Sequence, residues 1–150
     1  MLIDLDGKVI CGNLRPTIEA PFHTEIYRVR PDINAVCHTH NPYTQGFFLA
    51  SKLIPTAADG VYALADKPPI EFPKILGGII VIEYRQLGSR ALGKAVGAVC
   101  QMEALMPTGV IILLNHGVVG IGRCIHEARF QVDLLEEWAK ALAVFKSLQS

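Results

Sequence analysis

His38 and His40 stand two residues apart in His38-Thr39-His40, His116 lies in Asn115-His116-Gly117, and Glu19 opens the run Glu19-Ala20-Pro21-Phe22-His23. Neutral imidazoles aimed at one point bind divalent cations, and two of them at i and i+2 of a strand share one face of it. Three protein ligands with a fourth position left open is the arrangement of catalytic rather than structural zinc. A carboxylate beside such a cation can carry protons, because the cation stabilises the anion formed on a substrate. Each residue also has a plainer reading. HxH pairs occur as surface or core decoration, strand-end histidines act as simple hydrogen-bonding groups, and a carboxylate at Glu19 suits the free N–H groups of a helix start. The reading taken is that His38, His40 and His116 hold a divalent metal and that Glu19 moves protons next to it.

These four positions need a scaffold that brings them together. Leu2 to Leu5 and Lys8 to Cys11 read as a hairpin closed by Asp6-Gly7, because Gly tolerates positive φ. Phe22, Ile26 and Val29 recur at helical spacing behind Pro21, which suits a first helical position, and Pro31-Asp32 ends that helix. Ile33 to His38 reads as a strand running into the HTH triplet, and Asn41-Pro42 as the start of a helix with Asn as its cap. Residues 56 to 78 show the least periodicity and are expected to form a long loop with one short helical turn. Ile79 to Glu83 reads as a strand, and a helix is expected from about Arg90 to Leu105 behind Gly88-Ser89. Val110 to Leu114 and Val118 to Ile121 read as strands joined through Asn115-His116-Gly117. The last helix is expected from about Ile125 to Leu148, with Ala128, Val132, Leu135, Trp138, Leu142 and Phe145 on one stripe. This succession predicts a mixed, largely antiparallel sheet covered by helices.

Further candidates are weaker. His23 follows Glu19 by one helical turn, where it either orients that carboxylate or packs on the helix, and packing is the reading taken. His126 is assigned to the surface. Arg28, Arg30 and Arg85 are possible anion contacts but are assigned to solvated faces.

Composition sets the outer limits. The 150 residues are 51% hydrophobic, enough for one domain with a real core, so 1–150 is expected to be a single domain. Lys+Arg and Asp+Glu both number 14, which gives no global field for nucleic acid or an anionic membrane and favours a small molecule or protein as partner. Cys11, Cys37, Cys100 and Cys124 form no CxxC pair and read as reduced cysteines of a cytosolic protein. Met1 to Asp6 lacks the basic start and apolar stretch of a signal peptide, and no apolar run approaches the ~20 residues that span a bilayer. A cytoplasmic location is expected.

With these residues in view, the chain resembles the class II aldolase/adducin family, the group of fuculose-phosphate aldolase and ribulose-phosphate 4-epimerase. The resemblance rests on Glu19 to His23, on Ile26-Tyr27-Arg28-Val29-Arg30-Pro31-Asp32-Ile33-Asn34-Ala35-Val36-Cys37-His38-Thr39-His40, and on Leu114-Asn115-His116-Gly117-Val118-Val119. It implies a three-layer α/β/α fold with a central, mostly antiparallel mixed sheet. It implies catalytic Zn2+, or another divalent metal such as Mn2+ or Co2+, on His38, His40 and His116, and Glu19 as acid/base. The implied activity is that of an aldolase, a lyase that breaks or forms a carbon–carbon bond in a small sugar or sugar phosphate through a zinc-stabilised enediolate. The same metal site also serves epimerase or dehydratase chemistry, and a non-catalytic adducin-like assembly domain is the alternative from another class. A homotetramer is implied, as is truncation at the N-terminus, because the family's Gly-Asn segment and Thr/Ser-Gly turn for substrate phosphate are absent. Where the family has a Ser-Ser phosphate contact this chain has Thr17-Ile18, so Thr17 alone keeps a hydroxyl for substrate. The C-terminal extension with its catalytic tyrosine is also absent.

Overall fold

The most apolar segments, Gly109–Leu113 and Gly117–Gly122, are fully buried and lie side by side in the middle of a sheet. The computed structural model describes residues 1–73 and 77–149. Its elements in chain order are β1 (Leu2–Ile3), β2 (Val9–Cys11), α1 (Ala20–Val29), β3 (Ala35–Thr39), α2 (Pro42–Ala50), β4 (Leu53–Pro55), β5 (Val61–Leu64), β6 (Gly78–Ile82), α3 (Arg90–Cys100), β7 (Gly109–Leu113), β8 (Gly117–Gly122) and α4 (Ile125–Ser147). The central sheet has the order β3-β8-β7-β6-β5-β4 and is antiparallel except at β6–β7. A parallel neighbour needs a crossover connection, and α3 supplies it.

Alternation along the strands divides the core into two layers. Ile80, Ile82, Ile111, Leu113, Val119 and Ile121 meet Phe22 and Ile26 of α1 and Leu92, Val96 and Val99 of α3. Val81, Val110, Ile112 and Val118 point the other way, against Phe48 of α2 and Val132, Leu135, Trp138 and Leu142 of α4. The result is the expected three-layer α/β/α arrangement around a mixed, mostly antiparallel sheet. Among the described residues, no helix is long and apolar enough to cross a membrane.

Several expectations need correction. The opening hairpin forms, with Gly7 at φ +83 in its turn, but it makes a two-stranded sheet of its own and does not extend the central one. Residues 56 to 78 are not a single loop. Val61–Leu64 pairs with both Leu53–Pro55 and β6, and Lys74 to Leu76 of that stretch lie outside the described residues. These strands are short and β4 lies at the sheet edge, where a proline such as Pro55 costs no ladder bond. The helix expected to reach Leu105 stops at Cys100 and is followed by a 3-10 turn, Glu103–Leu105.

The reason is Arg30. Far from a solvated face, it is 3% exposed. It donates to Asp32 in a two-pronged pair at 2.6 and 2.7 Å and to the carbonyls of Cys100 (3.0 Å), Leu105 (3.5 Å) and Pro107 (2.7 Å). The Cys100 carbonyl, which a continued helix would have bonded to the amide four residues on, is thus satisfied by a guanidinium. Arg30 pins the end of α1 to the chain that enters β7.

Candidate metal centre

β3 carries His38 and ends at Thr39, with His40 directly after it. β8 runs antiparallel beside it with His38 opposite Val119 and Thr39 opposite Val118, so the turn before β8 falls next to the end of β3. That turn places His116, with Asn115 in the left-handed region at φ 59, which Asn tolerates better than most side chains. Residues far apart in the chain therefore meet because one strand ladder aligns their ends.

The three imidazoles lie together. Ring centroids are 4.9 Å apart for His38 and His40, 4.8 Å for His38 and His116, and 5.5 Å for His40 and His116. One ring nitrogen from each lies within 4.8 Å of the others. His38 Nδ1 is 3.0 Å from the Val118 carbonyl. A carbonyl only accepts, so Nδ1 carries the proton and Nε2 keeps its lone pair. That Nε2 stands 3.2 Å from His116 Nε2. Two nitrogens bound to one tetrahedral zinc at its usual Zn–N length are about 3.3 Å apart. The donor set and this spacing fit a divalent cation.

Electrostatics agree. Burial, and then the neighbouring imidazoles, hold His38 below the ordinary histidine range against the Val118 bond and Glu19, which pull the other way. His116 is lowered by burial and by His40. Both are therefore neutral at physiological pH, the form that binds metal. His40 is exposed and leaves the cluster open to solvent on its side.

Glu19 occupies the cap position of α1 but makes no capping bond with its side chain. Pro21 has no N–H to offer in that first turn. The Glu19 carboxylate is instead turned inward: the residue is 8% exposed and its Oε1 lies 3.7 Å from His116 Nε2. Glu19 Oε2 and His116 Nδ1 are buried with no hydrogen-bond partner among the described residues, which is costly unless another group completes the site.

The remaining candidates separate cleanly. Thr17 accepts a hydrogen bond from the Glu19 N–H at 3.2 Å, so its hydroxyl holds the turn that presents Glu19. Thr17 also lines a cavity of about 610 Å³ with Arg28, Arg90 and Lys94, and none of the histidines borders that cavity. His23 stacks on Phe22 at 4.6 Å, as the packing reading had it, and burial followed by the His38 charge pushes it down to about 4. His126 is exposed. Arg28 pairs with Asp6 and Glu25, and Arg85 with Glu83 and Asp59.

Gly117 is a site residue that no spacing rule revealed. A Cβ there would lie 2.6 Å from the Thr39 carbonyl oxygen, 2.7 Å from His38 Cε1 and 2.9 Å from His40 Cδ2. The two rings close over its bare backbone. In the sequence, the Asn115-His116-Gly117 break between two strands is its one signal.

A family model for the class II aldolase and adducin N-terminal domain matches residues 1–143. The chain belongs to this family. It is 38% identical over 138 residues to the L-fuculose phosphate aldolase of Methanocaldococcus jannaschii, an alignment covering 92% of the chain and 65% of the relative. It is 29% identical over 148 residues to the 5-deoxy-D-ribulose 1-phosphate aldolase of Bacillus thuringiensis, covering 99% and 62%. Among solved structures, a sugar-phosphate aldolase from Thermotoga maritima matches with a TM-score of 0.67 at 26% identity, over 93% of this chain and 58% of that one. An L-fuculose 1-phosphate aldolase matches with a TM-score of 0.65 at 22% identity, over 99% and 62%, a likeness of fold alone. The chain thus spans about two thirds of the length of the curated relatives, 65% of the first.

Proposed function

We propose that the protein is a metal-dependent aldolase, a lyase that breaks or forms a carbon–carbon bond in a small sugar or sugar phosphate. The observation that carries this reading is the buried Glu19 carboxylate standing 3.7 Å from one of three convergent imidazoles. The family and the names of its relatives support it. His38, His40 and His116 are the proposed ligands, with Zn2+ the preferred ion and Mn2+ or Co2+ as substitutes. When bound, the ion supplies Lewis acidity, polarising a substrate carbonyl and stabilising the negative charge that develops on it.

The chain's own residues then have defined tasks. The Val118 carbonyl holds the proton on His38 Nδ1 and so aims Nε2 at the site. Glu19 faces the imidazoles from a buried position, within reach of a proton on a substrate held there. In the cleavage direction Glu19 accepts the hydroxyl proton of the carbon that becomes the aldehyde, the electrons of the breaking bond pass to the carbon next to the carbonyl, and Glu19 then returns the proton to that carbon. Thr17 fixes the backbone from which Glu19 acts. The same reading takes the protein as cytoplasmic, which its four unpaired cysteines support, and as a homotetramer. Exposed Met1, Leu2, Ile10, Leu14 and Ile18 offer apolar surface for such an assembly, and light scattering that gives a monomer refutes it.

Aldehyde release from a panel of ketose 1-phosphates tests the activity. Turnover that is lost on chelation and restored by Zn2+, Mn2+ or Co2+ is expected. Metal-loaded protein that turns over none of the panel removes the lyase reading and leaves that of an assembly domain.

A further inference from the structure

The start of α2 is held in an unusual way. Asn41 occupies its cap position, yet the Asn41 side chain makes no cap bond and donates to the Val132 carbonyl of α4 at 3.1 Å. The free amides of the first turn go to a side chain from another helix. Glu136 Oε1 accepts from the Tyr43 N–H at 3.0 Å, and its Oε2 accepts from the Thr44 N–H at 2.9 Å and the Thr44 hydroxyl at 2.8 Å. A carboxylate is well suited to this place, since it satisfies orphan donors at the positive end of a helix. Thr44 is fully buried, so this contact is a fixed joint between α2 and α4.

From that anchored turn, Gln45 reaches back to the imidazole cluster. Its Nε2 donates to the Gly117 carbonyl at 2.9 Å. Gly117 directly follows His116, and its Cα side faces the His38 and His40 rings closely enough to exclude a methyl group. On the other side, His40 is separated from α2 by Asn41 alone. One helix end is therefore linked covalently to His40 and by a hydrogen bond to the residue after His116.

We propose that Gln45 and Glu136 are positioning residues for the imidazole cluster: Glu136 locks the first turn of α2 onto α4, and from that turn Gln45 holds Gly117, so that α2 sets the separation of His40 from His116. The inference rests on the reading of these histidines as metal ligands. Neither residue is a proposed ligand, and Gln45 meets the site through the Gly117 carbonyl. They act as the outer partners of ligating residues do, and removing such partners typically weakens metal binding 10- to 100-fold.

The test uses Co2+, whose visible bands report ligand geometry, on the full chain. Gln45→Met keeps the length of the side chain and removes the donor, and Glu136→Gln keeps one acceptor oxygen. Gln45→Met is expected to raise the Co2+ Kd about 10- to 100-fold and to change the position or intensity of the bands at saturation, with Glu136→Gln changing them in the same direction. A core variant on another element, Val99→Ala in α3, serves as control: it is expected to lower stability and to leave the bands of the saturated protein as in the wild type. Wild-type affinity and bands in Gln45→Met, together with loss of binding in His38→Ala, overturn the positioning role while the metal site stands. Equal Co2+ bands in wild type and His38→Ala remove the metal site, and the positioning role with it.

Discussion

The two ends of the central sheet are built differently. At one end β3 and β8 share five register pairs, β8 is wholly buried, and helices cover both faces. At the other, β4 and β5 share three pairs, and Ile54 of β4 is 45% exposed. The imidazole cluster sits at the first end. A metal site needs ligand atoms held to a few tenths of an ångström. Here the ladder fixes the strands, the Val118 carbonyl fixes one ring and Gly117 leaves room for two. The loosely tied end has no such means of holding side chains in place, and none of the proposed site residues comes from it.

That contrast can be broken by substitution. The largest effect is expected at the carboxylate: Glu19→Gln should lower aldol cleavage by about 10²- to 10⁴-fold, the usual worth of a positioned proton carrier. Its metal content should stay that of the wild type. Parallel loss of metal and activity would make Glu19 a ligand instead.

In the middle of the sheet, Ile112→Ala removes a side chain with no solvent exposure and should cost about 2–5 kcal/mol in denaturant unfolding. A value below about 1 kcal/mol would mean that the central layer is less tightly packed than its burial implies.

Acid should loosen the Arg30 joint. The hydrogen bonds and charge of Arg30 hold the Asp32 carboxyl below its usual range. In the acid window between the lowered and the ordinary value, the unfolded chain binds the proton and the folded one does not. Stability from this pair is therefore fully present above the ordinary carboxylate pKa and is lost as pH falls through the lowered one. Asp32→Asn should flatten the stability profile in that window, whereas an unchanged acid slope would show that Arg30 is satisfied by the carbonyls alone.

The smallest effect belongs to the loosely tied end. Ile54→Ala should change stability by less than about 0.5 kcal/mol. A loss as large as that of Ile112→Ala would erase the distinction between the two ends.

The same contrast explains what could be read from the sequence. Ala128, Val132, Leu135, Trp138 and Leu142 keep one apolar stripe for about four turns, and α4 lies where that stripe put it, although Phe145 at its far end is exposed. The strand before His38 and the two around His116 were legible because apolar, β-branched runs ended in marked turns. β4 and β5 were not, because three or four residues do not establish a period and their partners are set by tertiary pairing. Long-range polar contacts were equally hidden. Nothing near Arg30 announces that three carbonyls from residues 100 to 107 will meet it. Asn41 was a sound choice for a cap by local rules, but Glu136 took the amides from 92 and 93 residues away. At the candidate site, residue types and spacing indicated the four chemical groups. The close fit of Gly117 against two rings arises only from the pairing of β3 with β8.

Metal content measured by elemental analysis on protein purified without added ions, wild type beside His38→Ala, bears most directly on the central claim. The three-imidazole site predicts about one divalent cation per chain in the wild type and none in the variant. Equal metal content in the two proteins, or none in either after incubation with Zn2+ and desalting, would contradict it.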